Sequence, residues 1–158
     1  MAFASHLGPW LLGTVKNTTG TTAGTVRNMG ATTVGQTATV TYSDAATTTA
    51  FWIPAGSLIT NIAFYTASGI TGTTPTLTVY VNSTAVTGAQ SLTSATAFAA
   101  SISFLASAAS TIANVGSSDV AIKYTVGGTS LSAGSGTLVV EYLVRNPDGT
   151  ANPASTAA

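Results

Sequence analysis

The chain has 158 residues with four basic and four acidic side chains, a net charge of +0 and 5% charged residues, against about 25% in an ordinary soluble domain. It has no cysteine, which excludes a disulfide framework, thiol redox chemistry and any cysteine-ligated metal. Its cations, Lys16, Arg27, Lys123 and Arg145, stand singly, so there is no basic footprint for nucleic acid, and a 45% hydrophobic composition implies a surface of hydroxyls and methyls suited to burial against other subunits.

In chain order, the segment Met1 to Leu12 lacks a basic n-region, and Gly8-Pro9 interrupts its apolar run. It makes a poor signal peptide, so synthesis in the cytoplasm is expected. No apolar stretch approaches the ~20 residues of a spanning helix, and no membrane contact is expected. Residues 1–33 read as an extended arm or loose hairpin. Trp10-Leu11-Leu12 is followed by two related pentamers, Gly13-Thr14-Val15-Lys16-Asn17 and Gly24-Thr25-Val26-Arg27-Asn28, too few repeats for a solenoid. An exposed Trp-Leu-Leu cluster is an aggregation liability unless a partner groove holds it. Trp10, Leu11 and Leu12 are therefore candidate partner-binding anchors. Lys16 and Arg27, at matching places in the repeat, are candidate partner contacts that set register.

Residues 34–146 read as the folded domain and 147–158 as a loose tail. Val34–Tyr42 and Thr47–Ile53 are expected strands, the second ending in the turn Pro54-Ala55-Gly56-Ser57. Leu58–Tyr65 is the next strand, followed by an expected loop, Ser68–Pro75, rich in glycine and threonine. Thr76–Val81 alternates most clearly, with Leu77, Val79 and Val81 on one face and Thr76, Thr78 and Tyr80 on the other. Asn82-Ser83 turns it back into Thr84–Thr87. Ser91–Ala113 is read as strand or loop in preference to helix, with a strand at Phe98–Leu105. Val120–Val126 is a strand that Gly127-Gly128 is expected to end, and Gly136–Val144 closes the domain before the terminator Arg145-Asn146-Pro147-Asp148-Gly149. β-Branched residues dominate these segments and favour a pleated surface over a helix. Seven or eight short strands spaced by turns predict an all-β fold, an antiparallel β-sandwich of jelly-roll type with an extended N-terminal arm.

Catalytic chemistry has little to draw on. His6 is the sole histidine, so no two-histidine metal site exists, and a triad would depend on one residue near the terminus. Asp44 and Asp119 stand in turn-like contexts where aspartate bonds nearby backbone. Glu141 lies in a strand and is expected to face solvent or pair with Lys123 or Arg145. A glycosidase pair drawn from these acids is the alternative. Gly127-Gly128-Thr129 and Gly134-Ser135-Gly136-Thr137 lack the lysine and helix of a phosphate loop. No cofactor is expected. The aromatics Phe51, Trp52, Phe64, Tyr65 and Tyr80 fall in expected strands and are read as core, with stacking on carbohydrate as the alternative. The span from Asp44 to Asp119 carries no charge between its ends and suits packing against protein.

Three segments resemble a known family: Ala50-Phe51-Trp52-Ile53-Pro54-Ala55-Gly56-Ser57-Leu58-Ile59-Thr60-Asn61-Ile62, Pro75-Thr76-Leu77-Thr78-Val79-Tyr80-Val81, and Gly136-Thr137-Leu138-Val139-Val140-Glu141-Tyr142. They look like the β-sandwich head decoration (cement) proteins of tailed bacteriophages, over residues 34 to 145. The resemblance implies a non-enzymatic virion protein, trimeric, on the outer surface of the head, that staples neighbouring major capsid protein subunits. A tail-fibre or receptor-binding module is the alternative.

Overall fold

Threonine, valine and isoleucine fill the strands of the computed structural model, which describes residues 33–44, 47–93 and 98–145. The expected arm, apart from Thr33, and the expected tail lie outside those residues. The strands are β1 (Thr33–Thr41), β2 (Thr48–Ile53), β3 (Leu58–Val81), β4 (Thr84–Ala85), β5 (Gln90–Ser91), β6 (Phe98–Ser101) and β7 (Val120–Leu143). A 3-10 turn (Ala106–Ala108) and a short helix α1 (Ala109–Ala113) precede β7. All seven strands join one antiparallel sheet through the path β1-β7-β3-β4, with β2 on β7 and with β5 and β6 on β3. The expectation of an all-β antiparallel fold holds.

Two 24-residue strands, β3 and β7, organise the molecule. Near one end, Leu58–Tyr65 pairs with Thr137–Leu143, flanked by β1 and β6. Near the other, Thr76–Val81 pairs with Ile122–Gly127, flanked by β2, β4 and β5. We call these the first and second half-sheets. Their inner residues belong to one core: Val40, Ile62, Phe64, Leu138 and Val140 from the first, and Leu77, Val79, Val81 and Ile122 from the second. The sheet thus curls so that both halves bury one face together. Alternating burial over residues 77–81 and 138–142 supports this, because residues on one face of a strand recur every second position.

The expected loop at Ser68–Pro75 and the expected stop at Gly127-Gly128 are both corrected: the β3–β7 ladder runs through them. Glycine and threonine there mark bends in a strand. The pairing register shifts at four steps between Tyr65 and Thr76, and each such irregularity bends and twists the strand that carries it. Thr74 and Ser130 take left-handed backbone angles, φ 48 and 53, which locally turn the chain at a steric cost for a side-chain-bearing residue. Thr66 pins the first bend. Its hydroxyl accepts the Ser68 amide and donates to the Ser135 carbonyl.

Ser91–Ala113 is mixed. The strand at Phe98 stops at Ser101, Phe104 makes a single bridge to Thr87, and Ala106–Ala113 is helical, so the strand-or-loop reading is corrected there. Ile112 is buried against the core, which fixes a helical turn too short to be stable alone. Two expected turns hold. Asn82 (φ 53) and Ser83 link the rungs Val81–Thr84 and Tyr80–Ala85, the two-residue hairpin that asparagine favours. In the turn Pro54–Ser57, the Ser57 hydroxyl donates to the Pro54 carbonyl at 2.6 Å, the Gly56 amide to Gly116 at 2.7 Å and the Ala55 amide to Asp119 Oδ1 at 3.0 Å.

Candidate interaction surface

Over residues 120–126 and 138–142 of β7 the even-numbered residues face the core and the odd-numbered ones face outward. On the second half-sheet the outer rungs follow from the register. Trp52 lies opposite Ala121, whose amide and carbonyl both bond Asn82. Thr49 lies opposite Lys123, which pairs in turn with Tyr80. Thr125 pairs with Thr78, and its hydroxyl lies 3.4 Å from that of Thr47. Trp52 is 61% exposed. Ala121 is 2% exposed although it faces outward, so its larger neighbours on that face cover it. On the first half-sheet, Tyr65 lies between Thr137 and Ala99 and is 48% exposed. Glu141 lies on this same face, between Gly35 and Asn61.

The core reading of the aromatics therefore divides. Phe64 is fully buried and Phe51 packs against the core, but Trp52 and Tyr65, their immediate neighbours in sequence, point out. Consecutive strand residues face opposite sides, so Phe51-Trp52 and Phe64-Tyr65 cannot both enter one core. That alternation is the signal through which the exposed aromatics were recoverable from sequence. The expected partners of Glu141 are corrected in part: Glu141 and Lys123 lie in different half-sheets and share no rung. The candidates Trp10, Leu11, Leu12, Lys16 and Arg27 all lie outside the described residues.

Among the described acids, Asp44 has the most developed surroundings. Its Oδ2 accepts the Thr41 amide at 2.7 Å and the Tyr124 hydroxyl at 2.6 Å, and its Oδ1 accepts the Thr41 hydroxyl at 2.7 Å. The Tyr124 hydroxyl also lies 3.2 Å from the Thr39 carbonyl. Tyr124 belongs to the second half-sheet and Thr39 to the first, so this turn ties the two halves together. Burial pushes the Asp44 carboxyl up, but the hydrogen bonds from the Thr41 amide, Tyr124 and the Thr41 hydroxyl together hold it below the ordinary carboxylate value. Burial, followed by the bond to Asp44 and its charge, pushes the Tyr124 phenol well above its usual range. The Thr41 amide donating to Asp44 is the backbone bonding that the turn context predicted.

The sign of the pH effect follows. A carboxyl whose folded pKa lies below its unfolded value stabilises the fold above that unfolded value, about 3.9, and loses this contribution as pH falls through the folded value. Tyr124→Phe is expected to cost about 1–2 kcal/mol at pH 7. Less of that difference should survive at pH 2–3, as thermal unfolding at both pH values will show. A cost that grows on acidification would contradict the pairing.

Among the described residues, no group of three or more histidine, cysteine, aspartate or glutamate side chains is placed to hold a metal. Asp119 and Glu141 stand near opposite ends of β7, and no helix is long and apolar enough to cross a membrane.

Fold and surface define an all-β protein built on one curled sheet, with outward faces nearly free of charge and each carrying an exposed aromatic. No family model matches the chain, and no curated protein matches it. Among solved structures it is similar to a chain in the acidic stable capsid structure of Helicobacter pylori bacteriophage KHP30, at 12% identity and TM-score 0.47, over 73% of this chain and 88% of that one. It is also similar to a chain of the cyanophage Pam1 capsid asymmetric unit, at 16% identity and TM-score 0.48, over 75% of this chain and 89% of that one.

Proposed function

We propose that this chain is a non-enzymatic structural protein of a phage virion, carried on the outer surface of the head, where it cements neighbouring major capsid protein subunits. The observation that carries the reading is the outer surface of the first half-sheet: threonine and alanine rungs, a single charge at Glu141, and Tyr65 48% exposed. A large exposed aromatic among small hydroxyl-bearing residues fits the centre of a protein contact. Such contacts depend little on salt, since few ion pairs are there to be screened. Many copies, each holding weakly, lock a shell through avidity. The homotrimer belongs to the same proposal and rests on the resemblance of residues 34 to 145.

In this reading Trp10, Leu11 and Leu12 anchor the arm to a capsid subunit, and Lys16 and Arg27 set its register. Because β1 begins at Thr33, deletion of residues 1–32 leaves every described strand whole. The truncated protein is expected to keep its β-type circular dichroism and its cooperative unfolding but to lose attachment to heads that lack it. Attachment at undiminished affinity would remove the arm from the mechanism.

A second reading, a carbohydrate-binding tail or fibre module, is favoured by the same exposed Trp52 and Tyr65, whose rings can stack on sugars. A glycan array separates the two: the cement reading expects no glycan whose binding is lost on Trp52→Ala or Tyr65→Ala.

A further inference from the structure

We infer that the outer face of the second half-sheet is a self-association surface whose occupant is the same face of a second copy of this chain. The argument goes beyond the virion reading and stands without it: the two-fold contact is separate from the trimer's, and it leaves the first half-sheet and the arm to the capsid. Ala121 and Lys123 lie on the outer side of β7, and Asp119, which immediately precedes the strand, stands two positions before Ala121. Asp119 is exposed and accepts the Ala55 amide through Oδ1 only, which leaves its other oxygen open. Lys123 is partly exposed. Acid and base thus stand two positions either side of Ala121, and Trp52 lies on the Ala121 rung.

This arrangement is complementary to itself in one orientation. A two-fold axis parallel to the sheet, running across the strands at the level of Ala121, sets two copies face to face with their β7 strands antiparallel. It places Asp119 of each copy over Lys123 of the other, giving two ion pairs from two charges per chain. It also brings the two Trp52 rings together at the Ala121 rung, between sheets that pack about 10 Å apart. An axis along the strands would instead set acid on acid and base on base. In an isologous contact each residue meets its counterpart reciprocally, so the spacing of Asp119 and Lys123 about Ala121 selects this one alignment. Threonines 47, 49, 78 and 125 surround it with hydroxyls that leave no further charge to bury.

The test is sedimentation equilibrium of the full chain with charge-reversed variants, up to about 0.1 mM, a range that captures contacts of modest affinity. The wild-type chain is expected to associate through a two-fold step, and Trp52→Ala to weaken that step by tenfold or more. Lys123→Asp leaves two acids on the face and Asp119→Lys leaves two bases, so each variant alone should lose the step. Mixed together they should regain it, since each face then meets its complement. Circular dichroism of each variant separates lost association from lost folding. The inference is overturned if the wild-type chain shows no two-fold step in this range, if Trp52→Ala leaves the step unchanged, or if the folded charge variants fail to associate when mixed.

Discussion

Phe64→Ala is expected to lower the unfolding free energy by about 3–5 kcal/mol, the largest loss from a single truncation among the described residues. The ring is fully buried. It sits on the rung that joins Leu138 of β7 to Ala100 of β6 across β3, with Ile62 on the same inner face. Removing it opens a cavity where three strands meet, and the flanking backbone is held by ladder hydrogen bonds that limit collapse. Urea unfolding measures the loss directly. A change below about 1 kcal/mol, the ordinary effect of a surface substitution or less, would mean that the first half-sheet does not pack as described.

Gly136→Ala is expected to cost about 2–3 kcal/mol, at the upper end for an added methyl in a packed site. A β-carbon on Gly136 would overlap the Phe64 ring and stand 2.6 Å from the Tyr65 carbonyl oxygen. The ring has no free space to swing into, and the carbonyl belongs to the β3 backbone. The two substitutions must therefore couple. In a Phe64→Ala background the ring clash is gone and only the carbonyl contact remains, so Gly136→Ala should cost clearly less there. A double-mutant cycle reads that difference, and strict additivity would refute the contact.

Much of the fold was legible because the physical signals were local. The Leu77-Val79-Val81 alternation, the Asn82-Ser83 hairpin and the Pro54–Ser57 turn each depend on residues within a few positions. The continuous course of β3 and β7 was not legible. Thr71-Gly72-Thr73-Thr74-Pro75 and Gly127-Gly128-Thr129 have loop composition, and only their mutual pairing, more than 50 positions apart in sequence, makes them strands. The bends at Thr74 and Ser130 are equally a product of that pairing. Helix α1 formed where Ile112 could reach the core, a tertiary condition that Ala109-Ser110-Thr111 does not announce.

The surface was half legible. Low charge points to faces made for packing, but residue type alone puts Trp52 and Tyr65 in the core, and only strand parity turns them outward. Asp119 and Lys123 look unrelated in a linear reading that stresses their turn and strand contexts. Carrying the outward parity of β7 back by one residue sets them on one face, as the proposed self-contact requires.

The central claim, that this is a structural protein of the virion head, is tested most directly by its copy number and position in a purified particle. Quantitative mass spectrometry against the major capsid protein, with antibody labelling in electron micrographs, gives both. The account predicts many copies, in a fixed simple ratio to the major capsid protein and spread over the outside of the head. A handful of copies confined to the tail or its fibres, or none in the particle, would contradict it.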